Sequence, residues 1–137
     1  EVHPIIRTLP EPLFLFSEDI ESVKERFDAA YPRAEYVYAG EDGSFARAFP
    51  NIRYDGTPTK LKVLYQSSDI GTLESIEYTT EGIHIMPYLV GYVSERYLHS
   101  DREGDKQVYL STDKRIKVAI LLSTGIQTAT FTRGPRP

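Results

Sequence analysis

Apolar and polar side chains recur along this chain at two periods, and the change between them divides it. From Ser17 to Pro32 the period is helical. Ile20, Val23, Phe27 and then Ala30 or Tyr31 return every three or four residues, with Lys24, Glu25 and Asp28 on other faces. Ser17 is suited to cap the first turn, and Glu18, Asp19 and Glu21 suit its positive end. Pro32 stops the run, because proline lacks the N–H a helix interior needs. The spacing predicts a helix over 18–31 with one buried stripe.

Beyond it the period falls to two. Glu35 to Ala39 reads as a strand, Gly40-Glu41-Asp42-Gly43 as a turn, and Ser44 to Phe49 as the returning strand. Pro50 to Thr59 is expected to be a loop, since it carries Pro50, Gly56 and Pro58. Leu61, Val63 and Tyr65 alternate with Lys60, Lys62, Leu64 and Gln66, so one face should be wet. Thr72 to Thr79 alternates again. Glu81-Gly82 is expected to turn the chain into Ile83 to Met86. Gln107 to Leu110 and Ile116 to Leu122 flank a polar turn and predict a hairpin. Val118 to Leu122 is continuously apolar, as in a central strand covered on both faces. Thr124-Gly125 turns once more before Ile126 to Thr132.

Residues 87–99 satisfy both periods. Pro87 suits the first position of a helix, and Leu89, Val93 and Tyr97 then fall four apart. Gly91, Val90, Val93 and three tyrosines instead suit a long, bulged strand. At the ends, Pro4, Pro10 and Pro12 make 1–12 an extended arm, and 133–137 reads as a frayed tail. Leu13 to Phe16 is a short apolar run for a buried strand or a hydrophobic staple. No repeat of 20–50 residues is visible.

These elements predict one α+β domain over 1–137. An antiparallel, meander-like sheet of five to seven strands packs on helix 18–31, with 87–99 as a second helix or a further strand. A curled sheet or partial barrel is the main variant, since many short strands must hide their edges. A chain of 137 residues can bury roughly two-thirds of its unfolded surface without staples.

Composition narrows the chemistry more than it names it. There is no cysteine, which removes disulfides, thiolate metal sites and a cysteine nucleophile together. The expectation is a soluble protein, cytoplasmic or exported without disulfides. No apolar run approaches the roughly 18 residues of a membrane span. The net charge of -4 argues against a nucleic-acid binder driven by bulk charge. That charge is uneven. Residues 1–50 hold ten acids and five bases, whereas 101–137 hold four acids and seven bases. A domain with ends of opposite sign attracts a polarised partner, or a copy of itself.

Catalytic and cofactor motifs are missing. The three histidines, His3, His84 and His99, stand in none of the spacings of a metal site, so no metal is expected. Neither a nucleophile elbow nor a glycine-rich phosphate loop occurs, and no cofactor is expected. Two groups remain. His84, Tyr88, Tyr92, Arg96 and Tyr97 crowd one short segment, and tyrosine with arginine is the chemistry of partner surfaces. Lys114, Arg115, Lys117 and Arg133 form a basic group suited to an acidic protein or a phosphate.

The expected function is a non-catalytic binding module that acts through a protein–protein surface, centred on the tyrosine segment. One alternative is a small-molecule binder or enzyme with a pocket between curved sheet and helix, using His84 as acid–base. A second is phosphate-backbone contact through the basic group.

Overall fold

The computed structural model describes residues 12–54, 57–81, 87–123 and 126–134. Two helices, α1 (Ile20–Ala30) and α2 (Pro87–Arg96), each precede four strands. The first four are β1 (Glu35–Ala39), β2 (Phe45–Tyr54), β3 (Thr57–Ser67) and β4 (Leu73–Glu81). The second four are β5 (Leu98–Glu103), β6 (Lys106–Leu110), β7 (Ile116–Ser123) and β8 (Ile126–Arg133). All eight form one antiparallel sheet in the order β1-β2-β3-β4-β8-β7-β6-β5. Helix plus four-strand meander thus occurs twice, and the two meanders join at β4 and β8. The α+β class with an antiparallel meander packed on helix 18–31 is therefore correct, with eight strands where five to seven were expected. The sheet stays open, with β1 and β5 at its edges, so it does not close into a barrel.

Register explains where the core lies. Phe45 pairs with Tyr65, Tyr65 with Ile76, Ile76 with Phe131, and Phe131 with Val118, so these five side chains share one face. Both helices cover that face. Phe27 of α1 meets Phe45 at 5.7 Å, Tyr65 at 5.3 Å and Phe49 at 6.2 Å. Leu89, Tyr92 and Val93 of α2 join the same buried cluster. Arg47, itself buried, ties β2 to α1: its Nε donates to Asp28 at 3.2 Å, and its guanidinium lies 5.2 Å from the Tyr36 ring. The other face carries Lys62, Glu77, Thr79, Thr128, Thr130 and Lys117, all at least partly exposed, beside the buried Ala46, Ala48, Ser75 and Val108.

Several local expectations need correcting. Asp19 caps α1, accepting from the Ser22 N–H at 3.3 Å, and Ser17 does not. Residues 87–99 split into a helix and the start of an edge strand, because the α2 stripe has a core to bury in while 98–103 has none. Most of the expected loop 50–59 is strand. The Pro50 region coincides with a register shift between Phe49 and Ile52, which lets proline lie in a ladder. Ala119 and Leu121 of β7 are only half-buried, so this strand is covered on one face rather than two. Most of the N-terminal arm, the end of the tail, and the expected turns and strand at 82–86 and 124–125 lie outside the described residues.

Candidate functional site

Two of the three tyrosines of the expected surface turn inward. Tyr92 is 2% exposed and Tyr97 9% exposed, and Tyr97 approaches the Phe131 ring at 6.3 Å. They face inward because Leu89, Tyr92, Val93 and Tyr97, at three- and four-residue steps, form the stripe that α2 and the residue after it turn toward the core. Arg96 folds back over its own helix. Its guanidinium lies 4.0 Å from the Tyr92 ring, and Nη1 donates to the Tyr92 carbonyl at 3.1 Å. Tyr88 stands in the first turn of α2. His84 lies outside the described residues.

The basic group fares differently, because strand parity sorts it. Ile116 pairs with Arg133 on the helix-covered face, and Lys117 therefore points to the opposite face. There Lys117 meets Glu103 at 2.9 Å. Lys114 sits in the β6–β7 turn with φ of 61°, exposed. Arg115 and Arg133 are left together, lining one groove at the end of the core face.

That groove exists because residues 13–17 cross the sheet there. The Leu13 N–H donates to the Tyr65 hydroxyl at 3.1 Å, and the Phe14 ring packs 5.8 Å from Phe131. Burial pushes the Tyr65 phenol well above its ordinary range, so it stays a neutral hydrogen-bonding group. Phe14 and Phe16 floor a groove of about 430 Å³, with Ser17, Asp113, Arg115, Ile116 and Arg133 around it. Arg133 Nη2 reaches Ser17 Oγ at 3.5 Å. Phe16 and Arg133 also border a second hollow of about 330 Å³, which continues to Ser68, Asp69, Ile70 and Glu74. The two hollows share Phe16 and Arg133 as common lining, and together they are the candidate channel.

Hydrogen bonds hold both walls. On one side the Ile20 N–H donates to Gly71 O at 2.9 Å and the Leu73 N–H to Glu18 O at 3.1 Å, so the β3–β4 turn is pinned to the start of α1. Gly71 takes φ of 83° there, which glycine adopts without strain. On the other side Ser111 Oγ donates to Asp113 Oδ1 at 2.6 Å, and the same carboxylate oxygen accepts from the Arg115 N–H at 3.0 Å. These bonds, the Ser111 hydroxyl first, hold the Asp113 carboxyl below its ordinary value. The Gly134 N–H closes onto Arg115 O at 2.7 Å.

The two hollows differ in their balance of charge. One is lined by Arg115, Arg133 and Asp113, and the other by Asp69, Glu74 and the shared Arg133. Arg115 approaches only Asp113, at 4.0 Å, and Arg133, Asp69 and Glu74 enter no ion pair among the described residues. Ile70, at the tip of the turn between them, is 85% exposed. Sequence reasoning did not single out Phe14, Phe16, Asp69, Ile70 and Glu74, which line the two hollows. The available signal was an isoleucine inside Ser68-Asp69-Ile70-Gly71, where turn chemistry favours polar side chains.

A second exposed feature lies at the β1 edge, where Tyr36, Val37 and Tyr38 are all open to solvent. Val37 and Tyr38 border a hollow of about 340 Å³ on the uncovered sheet face. Among the described residues no three His, Asp or Glu gather as a metal site requires, and no helix is long and apolar enough to cross a membrane.

The fold and this channel define an open-faced α+β protein with a charged surface groove. Comparison with protein-family models, curated proteins and solved structures finds no match for the chain.

Proposed function

We propose that this chain is a non-catalytic binding module that engages another protein, and that its contact surface is the groove under residues 13–17. The observation that carries this reading is the pair Arg115 and Arg133 beside the apolar floor of Phe14 and Phe16. Guanidinium groups grip carboxylates through two parallel hydrogen bonds, and an aromatic floor buries the neighbouring apolar side chain. The partner segment is acidic with apolar residues between its acids. A nucleic-acid backbone suits the groove less well, because its charge is continuous and meets Asp69, Glu74 and Asp113, whereas a peptide can confine its acids to the side chains that reach Arg115 and Arg133.

The test is fluorescence anisotropy of a labelled peptide alternating Glu with Leu and Phe. The Arg115→Ala, Arg133→Ala double variant is expected to weaken binding about tenfold, from two partly exposed charge contacts of roughly 0.5–1 kcal/mol each. Its Tm should move by no more than about 2 °C, because both side chains are at the surface. Equal affinity in the two proteins would remove the groove from consideration. A single-stranded oligonucleotide is the control. Binding it tightly, with a steep loss on adding salt, would favour phosphate contact instead.

A further inference from the structure

We infer that the groove takes an extended polypeptide whose charge changes sign along its length, with an acidic residue at Arg115 and Arg133, an apolar side chain over Phe16 and Ile70, and a basic residue at Asp69 and Glu74. This inference rests on the binding-module reading above and specifies the partner's chemistry. Four observations carry it. The two hollows share Phe16 and Arg133, so one ligand can run through both. The balance of charge changes sign along that path: Arg115 and Arg133 outnumber Asp113 in one hollow, and Asp69 and Glu74 outnumber the shared Arg133 in the other. By register Glu74 falls opposite Arg133, one step beyond the Ser75–Thr132 pair, yet the two form no ion pair. Finally, Ile70 projects from a pinned turn at the acidic end, 85% exposed, where an apolar contact is otherwise unexplained.

The physical consequence is selectivity. A uniformly acidic segment meets attraction at one end and two carboxylates at the other. A segment of mixed sign satisfies both ends, and like-charge juxtaposition excludes the wrong partner. The walls do not have to rearrange, because backbone hydrogen bonds already fix the turns that carry Asp69 and Arg115. An extended peptide also suits an open channel, whereas a small zwitterion would want an enclosed pocket. Successive side chains in an extended segment alternate sides, so acid, apolar residue and base belong at alternate positions.

Two labelled peptides of equal length separate the outcomes. One carries Glu at the first end and Lys at the other, around a shared Leu-Phe centre, and its companion carries Glu at both ends. The spacing between charged ends is varied from one to five residues. The mixed peptide is expected to bind the natural chain about tenfold more tightly than the acidic one. In the Asp69→Lys, Glu74→Lys variant that preference should reverse. In the milder Asp69→Asn, Glu74→Gln variant the two peptides should bind alike, which guards against a misfolded double lysine variant. If both peptides bind the natural chain equally, or the preference survives the charge reversal, the mixed-charge inference is overturned while an acidic partner stands. If neither peptide binds at any spacing, the binding-module reading of this groove falls with it.

Discussion

Phe27 shows how one side chain holds the first half of the molecule. It is fully buried and its ring meets Tyr31, Phe45, Phe49 and Tyr65. Phe27→Ala removes four ring contacts and leaves a cavity that β2 and β3 cannot collapse into, since the sheet ladder fixes them. It should cost about 3–5 kcal/mol in urea unfolding, a loss near 1 kcal/mol counting against this packing. Residue identity made Phe27 recognisable in advance, because it falls on the helical apolar stripe. Tyr92 and Tyr97 were misread at the same scale. Tyrosine is amphipathic, so its presence does not say which way it points. Only the docking of α2 on β7 and β8 decides that.

At the scale of elements, caps and turns carry the testable consequences. Asp19→Ala should destabilise the protein by about 1 kcal/mol, whereas Ser17→Ala should stay within about 0.5 kcal/mol, as read by thermal unfolding. Equal effects would mean that the cap is shared. Both Asp42, through the Ser44 N–H, and Asp113, through the Ser111 hydroxyl, have carboxyls held below the ordinary value of 3.8. A depressed folded-state pKa stabilises the fold above the unfolded value, and this is lost as pH falls through the folded value. The 41–44 and 111–115 turns are therefore expected to loosen below pH ~3.8 while the core persists. Amide exchange at Ser44 and Arg115 should accelerate there ahead of the central strands. An unchanged ratio from pH 5 to pH 3 would contradict the assignment. Periodicity predicted α1 and most strands, because a half-buried element writes its face into the sequence. It missed β5 as a strand because an edge strand exposed on both sides has no face to write.

For the whole molecule, sheet order sets the hierarchy of stability. β4 and β8 lie at the centre and β1 and β5 at the edges, so protection should fall outward in both directions. Hydrogen-exchange mass spectrometry is expected to find the amides of Ile76, Tyr78, Ala129 and Phe131 among the slowest. Those of β1 and β5 should exchange sooner by orders of magnitude. Protection of β5 equal to that of β8 would contradict the order. The two edges also differ. β5 bears Asp101, Arg102 and Glu103, charges of the kind that discourage edge pairing, while β1 bears Tyr36, Val37 and Tyr38 and relies on a register shift between Tyr36 and Tyr38.

The order of amino acids alone established the class: an α+β domain, one secure helix, an antiparallel sheet and no cysteine chemistry. Those properties follow from local periodicity and composition, which act over a few residues. The pairing of β4 with β8, the inward turn of Tyr92, the diversion of Lys117 to Glu103, and the meeting of Phe14, Phe16, Arg115 and Arg133 at one groove came from the folded chain. These join segments tens of residues apart. Such contacts depend on which faces are left to bury once each element has formed, and no local pattern records that.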